Sequence, residues 1–408
     1  MKKIVLIALF ICSMSMLVIP AQTPQGDIQY RRSSLYSMMV SHQTENLSKE
    51  IEKVFLQIPI PDKFNNHDLA VKVVTTSEKT VNEETISSFL HQNQVARRVV
   101  ARWFNRDPKT GECDMSLVAE RGLYNASMTD IELAKMSHRG YSLLADAGED
   151  LINNTFVIVN DIKYVDKSKG AMVGGAVVGG VLSFVGSLFG LGDLGDLVAD
   201  GVNALISSVK GFGVTVTSYL YRMEWNDEIA ATFYNDHYLY KGQEDAVKLV
   251  KFQQSDLYKL NFVGKQSVVS AELTMKSAAD FDPYAVIRAV CARAIDESII
   301  ALQRNHDEFK IKSPIVSVEP EITAFIGLKE GVNERNRYEV LEPRTDENGK
   351  RKYVRVGVVQ PVKGKIWDNR YMAAELGDAS STVSATTFRK ISGLNFVPGM
   401  LLREIKVK

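Results

Sequence analysis

Residues 170–213 read GAMVGGAVVGGVLSFVGSLFGLGDLGDLVADGVNALISSVKGFG, and the 21 residues from Ala171 to Leu191 carry no charge and include six glycines. Lys167 and Lys169 precede the run, and Asp193, Asp196 and Asp200 follow it. As a helix it is just long enough to cross a hydrocarbon core of about 30 Å. In water each glycine costs such a helix roughly 1 kcal/mol relative to alanine. A stable helix here therefore needs a partner to bury it.

The spacing names the partner-facing stripe. Gly170/Gly174, Gly175/Gly179, Ala176/Gly180 and Gly186/Gly190 are small residues four apart, which let another helix approach closely. Leu182, Phe184, Leu188 and Phe189 are the large apolar contacts of the same arm. The return segment, Asp193 to Lys210, is amphipathic: Leu194, Leu197, Val198, Val202, Leu205, Ile206 and Val209 oppose Asp193, Asp196, Asp200 and Asn203. Its acids stand at the N-terminal end and Lys210-Gly211 at the C-terminal end, as the helix dipole and C-cap favour.

Strand-like sequence flanks the stretch, with TFVIVNDIKYV at 155–165 and GVTVTSYLYRMEW at 213–225. A single membrane crossing would put those strands on opposite sides of the bilayer. Three readings follow: a helical hairpin on a membrane surface or against neighbouring subunits, a true span, or a hairpin packed on the chain's own sheet. The first is preferred.

Lys2 and Lys3 lead an apolar run, Ile4 to Ile19, with Ala21 before a cleavage point. At about 16 residues the run is short for an anchor, so residues 1–21 read as an export signal. The 49 basic and 49 acidic residues balance, which gives no nucleic-acid signal. Beyond the leader stand Cys113 and Cys291, which either pair in an oxidising compartment or are two buried thiols. The second reading suits Cys291, which falls on an apolar helix face.

Along the chain, residues 27–44 are a basic, hydroxyl-rich opening. Leu47, Ile51, Val54 and Phe55 mark a helical face that Ile58-Pro59-Ile60-Pro61 ends. LAVKVVTT at 69–76 is a short strand, 84–106 one helix with Arg97, Arg98, Arg102 and Arg106 on a basic face, 107–111 a turn, and Ser127 to Leu151 helix-rich. The strand pattern at 213–225 continues through IAATFYND and KLNFVGKQSVVSAELTM. Residues 283–306 are the clearest amphipathic helix, with Val286, Ala289, Val290, Ala294, Ile295 and Ile299 on one face. From Ser313 short strands and turns take over, with Asn348-Gly349 as a hairpin turn. The expected fold class is α+β: a helix and antiparallel-sheet domain over 28–315 carrying the 170–213 insertion, then a small all-β barrel over 318–408.

Motifs for chemistry are sparse. Gly190-Leu-Gly192-Asp-Leu-Gly195 fits GxGxxG, but Asp193 and Asp196 would set negative charge beside a pyrophosphate, so no cofactor is expected. Ser207-Ser208-Val209-Lys210 fits SxxK without its supporting motifs. Six scattered histidines offer no i, i+4 metal pair. Asp227-Glu228 and Asp236-His237 read as solvated loop neighbours. No catalytic, cofactor, metal or small-molecule site is assigned.

ITAFIGLKEGVNERNRYEVLE, from Ile322 to Glu342, resembles a phrase in SH3-like barrels of bacterial envelope assembly proteins, of the type of the flagellar T-ring protein's C-terminal domain. A strand, a glycine, a polar turn and a second strand recur there in this order. Arg335-Asn336 stands where such phrases commonly place a glycine before an acid. The resemblance implies an envelope assembly module and transfers no catalytic residue. The expected function is an exported, non-enzymatic envelope component at the periplasm or outer-membrane periphery. Its partners are proteins, further copies of itself or a membrane surface. The alternatives are a periplasmic or cell-surface hydrolase with dispersed catalytic residues and a soluble periplasmic binding module.

Overall fold

The computed structural model describes residues 33–42, 47–60, 64–65, 69, 72–76, 81–125, 148–149, 151–166, 210–274, 283–310, 312–345, 351–370, 383–393 and 395–405. The expected export signal, the body of the glycine-rich stretch, most of 127–151 and the expected Asn348-Gly349 turn lie outside these residues. Two sheets organise the chain, and the α+β class with a small barrel is what they form.

The first sheet contains β1 (Ser33–His42), β2 (Phe64–Asn65), β3 (Val73–Thr76), β4 (Thr155–Asp166), β5 (Lys210–Met223) and β6 (Leu260–Thr274), in the order β2-β1-β4-β5-β6 with β3 also on β1. Strands β4, β5 and β6 form the expected antiparallel run, while β1 pairs in parallel with β2, β3 and β4. Strand β1 falls in the stretch read as a basic opening, and β5 begins at Lys210 rather than at Gly213.

Helices cover both faces. Along β4 and β5 alternate side chains enter two cores. Phe156, Ile158, Ile162, Val214, Val216 and Leu220 meet α1 (Ser48–Phe55) and α7 (Pro283–Asn305). On the other face Val157, Val159, Tyr219, Tyr221 and Met223 meet α2 (Glu83–Gln92), α3 (Val95–Trp103) and neighbouring segments. Residues 84–106 thus form two helices, broken at Asn93-Gln94, where Gln94 takes a left-handed φ of 53°. Helix α4 (Ser116–Asn125) follows.

IAATFYND is helical, not strand: α5 (Asp227–Thr232) runs into a π turn at Phe233–His237. Asn226 starts it by accepting the Ile229 N–H at 2.9 Å, with Asp227 and Glu228 in the first turn. Helix α6 (Ala246–Gln254) is capped likewise by Asp245.

The second sheet holds β7 (Lys312–Pro314), β8 (Ile322–Ala324), β9 (Arg337–Thr345), β10 (Arg351–Pro361), β11 (Thr386–Gly393) and β12 (Leu401–Ile405), in the order β7-β12-β9-β10-β11-β8. A bridge between Ser317 and Thr323 brings its two ends together, so the antiparallel sheet nearly closes. Ile326, Val340, Val359, Phe388 and Leu402 fill its interior. The barrel sheet takes in Lys312, upstream of the expected boundary at 318. Residues 365–368 contribute an isolated bridge, Trp367 to Gly327.

Candidate functional site

The insertion is rooted where β4 ends and β5 begins. Asp166 stands opposite Phe212 in an antiparallel ladder, so the intervening chain leaves and rejoins the sheet at neighbouring positions. The ends of β1, β3 and β6 lie at this same end, since His42 pairs Thr76 and Lys210 pairs Thr274. Helix α7 then runs back along β5 and β6. Its 23 residues cover about 35 Å at 1.5 Å per residue. At its far end Asn305 donates to Gln266 at 3.2 Å and the His306 ring lies over Gly264. There Arg304 donates to the Gly331 carbonyl at 2.5 Å and lies 3.7 Å from the Glu404 carboxylate, which joins the helix to the barrel. Insertion root and barrel thus occupy opposite ends of the sheet.

Beneath the insertion root sits a buried polar set. His42 Nε2 and Asp161 Oδ1 are 2.5 Å apart, and each residue is only 5% exposed. Lys163 Nζ lies 3.6 Å from the other carboxylate oxygen of Asp161. Next along β4, Asn160 donates to Ser37 and to the Met38 carbonyl, and accepts from Ser218 at 2.6 Å. These bonds tie β1, β4 and β5 together through side chains as well as backbone. Ser41 adds a bond to Glu52 of α1 at 3.0 Å. A cavity of about 10 Å³ lies beside His42, lined also by Met39, Val40, Ser48, Ile51, Ile162 and Tyr164. It has room for about one water. The set clamps strands where the insertion is anchored.

A second cluster joins α3, the 107–113 loop and the π turn. Asp107 accepts the Lys109 and Thr110 N–H groups, and those bonds hold its carboxyl below the usual range. Arg106 donates to the carbonyls of Gly111 at 2.6 Å and His237 at 2.8 Å, and to Cys113 Sγ at 3.3 Å, with its guanidinium over the Phe252 ring. His237 is buried and bonded to Tyr258 at 2.6 Å. Burial, more than the opposing pull of Asp236, lowers its imidazole to about 4. Of the two pairs read as solvated loop neighbours, Asp227-Glu228 opens α5, and Asp236-His237 has its histidine in the core. Around them Phe104, Trp225, Phe233, Tyr234 and Tyr238 form a packed aromatic group. Arg106 is a staple holding two loops together here, rather than part of a basic surface.

The two cysteines are free and buried on opposite faces of the first sheet, Cys113 in one core and Cys291 in the other, so they do not pair. Burial pushes the Cys291 thiol up to about 12. Gly170, Gly174, Gly175, Gly179, Gly180, Leu182, Phe184, Gly186, Leu188, Phe189 and Gly190, with the GxGxxG and Ser207-Ser208 patterns, fall outside the described residues. Among the described residues no helix is long and apolar enough to cross a membrane, and no group of three or more His, Cys, Asp or Glu is placed to hold a metal.

The His42–Asp161 pair and the Arg106 staple had no local signal, because each joins residues far apart in sequence. The chain matches no protein-family model, and a search of the curated proteins returns no relative.

Proposed function

We propose that this chain is an exported, non-enzymatic assembly component of the cell envelope, which joins an outer membrane or a multi-subunit complex through its glycine-rich insertion. The observation that carries the reading is the pairing of Asp166 with Phe212. It brings the two points where the chain leaves and rejoins the sheet side by side, with the uncharged run from Ala171 to Leu191 between them in sequence.

Chemistry and placement support this together. The stripe of small residues needs an apolar partner, since glycine-rich helices are weak alone in water. The root beneath it is clamped by the His42–Asp161 pair, which suits a lever that must transmit position. The barrel, at the far end of α7 from the insertion root, provides a second module. The Lys2-Lys3 leader with its apolar run supports export, and the resemblance at 322–342 supports an envelope setting.

The test is size-exclusion chromatography with crosslinking of the full chain in mild detergent and without it. The reading expects oligomers or detergent-bound particles. A monomer that behaves identically in both conditions contradicts it.

A further inference from the structure

The far end of α7 meets the barrel through a charged fork. Arg304 Nη2 donates to the Gly331 carbonyl at 2.5 Å, while its Nε stands 3.7 Å from Glu404 Oε2. Glu404 lies on β12 opposite Tyr338 of β9, and its other oxygen accepts from the Asn336 amide. Between helix and barrel is a cavity of about 30 Å³. Glu404 shares it with Gln303 and Lys310 on the helix side and with Ser313, Glu330 and Tyr338 on the barrel side. It has room for about two waters.

The carboxylate of Glu404 is weakly compensated there. Its cations are Arg304 of α7 and Lys310 of the turn that follows. Arg304 makes its closer contact with a neutral carbonyl, and Lys310 is drawn to Asp307 at 2.7 Å. Tyr338 is neutral, because burial pushes its hydroxyl well above the ordinary 10. Glu330 puts a second carboxylate on the cavity wall, held by the Gly327 N–H at 2.6 Å and the Asn369 amide at 2.8 Å. The flanking charges are engaged elsewhere: Arg403 with Glu339 at 2.5 Å, and Lys312 of β7 over the Tyr353 ring. Taking a carboxylate out of water costs more than cations shared in this way return. Accordingly, burial outweighs Arg304 and Lys310 and raises the Glu404 carboxyl above its ordinary 4.5.

We propose that Glu404 is a proton-controlled latch between α7 and the barrel, closed when its carboxyl is protonated and loosened when it ionises. A carboxylate that parts from α7 regains water, so the open joint releases the proton more readily than the closed one. By linkage, the contribution of the protonated carboxyl to the closed contact is fully present below the ordinary 4.5 and is lost as pH rises through the raised value. The first sheet and the barrel are thus coupled more tightly in acid than at neutral pH. This goes beyond the role proposed for the glycine-rich insertion and uses none of its residues.

The experiment follows hydrogen exchange of the full chain at 300–310 and 331–338 from pH 4.5 to about 8, corrected for the intrinsic pH dependence of exchange. Protection in wild type should fall by at least about threefold as pH rises. In Glu404→Gln, whose amide stands in for the protonated carboxyl, it should stay high throughout. Lys310→Met removes a cation that favours the ionised form, so its loss of protection should move to higher pH; this variant decides the matter should Glu404→Gln not fold. A wild-type profile that is flat or rises with pH overturns the proposal. So does a Glu404→Gln profile that falls as wild type does, or a Lys310→Met midpoint that does not move.

Discussion

Asp166 and Phe212 face each other across the β4–β5 ladder, and the glycine-rich insertion lies between them in sequence. Every strand that ends beside them, β1 with His42, β3 with Thr76 and β6 with Thr274, belongs to one sheet. The insertion therefore stands, in sequence, where a short hairpin turn could join the two strands.

The clamp beneath that root is testable by mutation. Asp161→Ala removes the carboxylate shared by His42 and Lys163 inside a buried ladder. Breaking one side of a buried pair costs about 3–5 kcal/mol. Urea denaturation should show a loss of that order, and a double-mutant cycle with His42→Ala should show strong coupling. A loss under about 1 kcal/mol would contradict the clamp.

His237 predicts a pH dependence of defined sign. Its imidazole moves from the ordinary 6.5 to about 4 because it is buried, so the unfolded chain holds the proton more tightly. The stabilisation from the neutral ring is complete above pH 6.5 and declines as pH falls through the window down to about 4. Denaturation of wild type and His237→Asn between pH 7 and 4.5 isolates this share from the carboxylates. The difference between the two proteins should shrink as pH falls; a constant difference would count against a buried neutral imidazole.

Gly357 tests how the barrel is packed. An added Cβ would lie 2.4 Å from the Ser392 carbonyl oxygen and 2.5 Å from the Phe396 ring. Overpacking of this kind costs about 1–3 kcal/mol. Gly357→Ala should lower the melting temperature read by circular dichroism, whereas Gly364→Ala introduces no close contact, only the cost of its φ of +73°. If Gly357→Ala melts with wild type, the Phe396 plug is misplaced.

Much of the architecture was legible where apolar spacing is regular. Helix α7 and strands β4 and β5 bury apolar stripes, and the barrel strands are short apolar segments between turns. Strand β1 was not legible, because its buried positions include Ser34, Ser41 and His42, and the partners of Ser41 and His42 lie on α1 and β4. The break in 84–106 was hidden because Ile86, Leu90, Val95, Val99 and Val100 recur at roughly helical spacing across it, while Gln94 takes a positive φ that its side chain does not announce. In IAATFYND the aromatic pattern suggested a strand, yet Asn226 with Asp227 and Glu228 was a readable helix start. The insertion itself was recognisable from its lack of charge, and its place between paired strands followed from the flanking periodicity.

The central claim is most directly tested by deleting 167–209, joining Asp166 to Lys210 with an Asn-Gly turn, and comparing the variant with wild type by membrane fractionation and light scattering. Because the two ends are already neighbours in one ladder, the variant should fold with an intact sheet and remain a soluble monomer, while wild type sediments with membranes or in large complexes. Equal solubility and the same number of subunits for the two proteins would contradict the account.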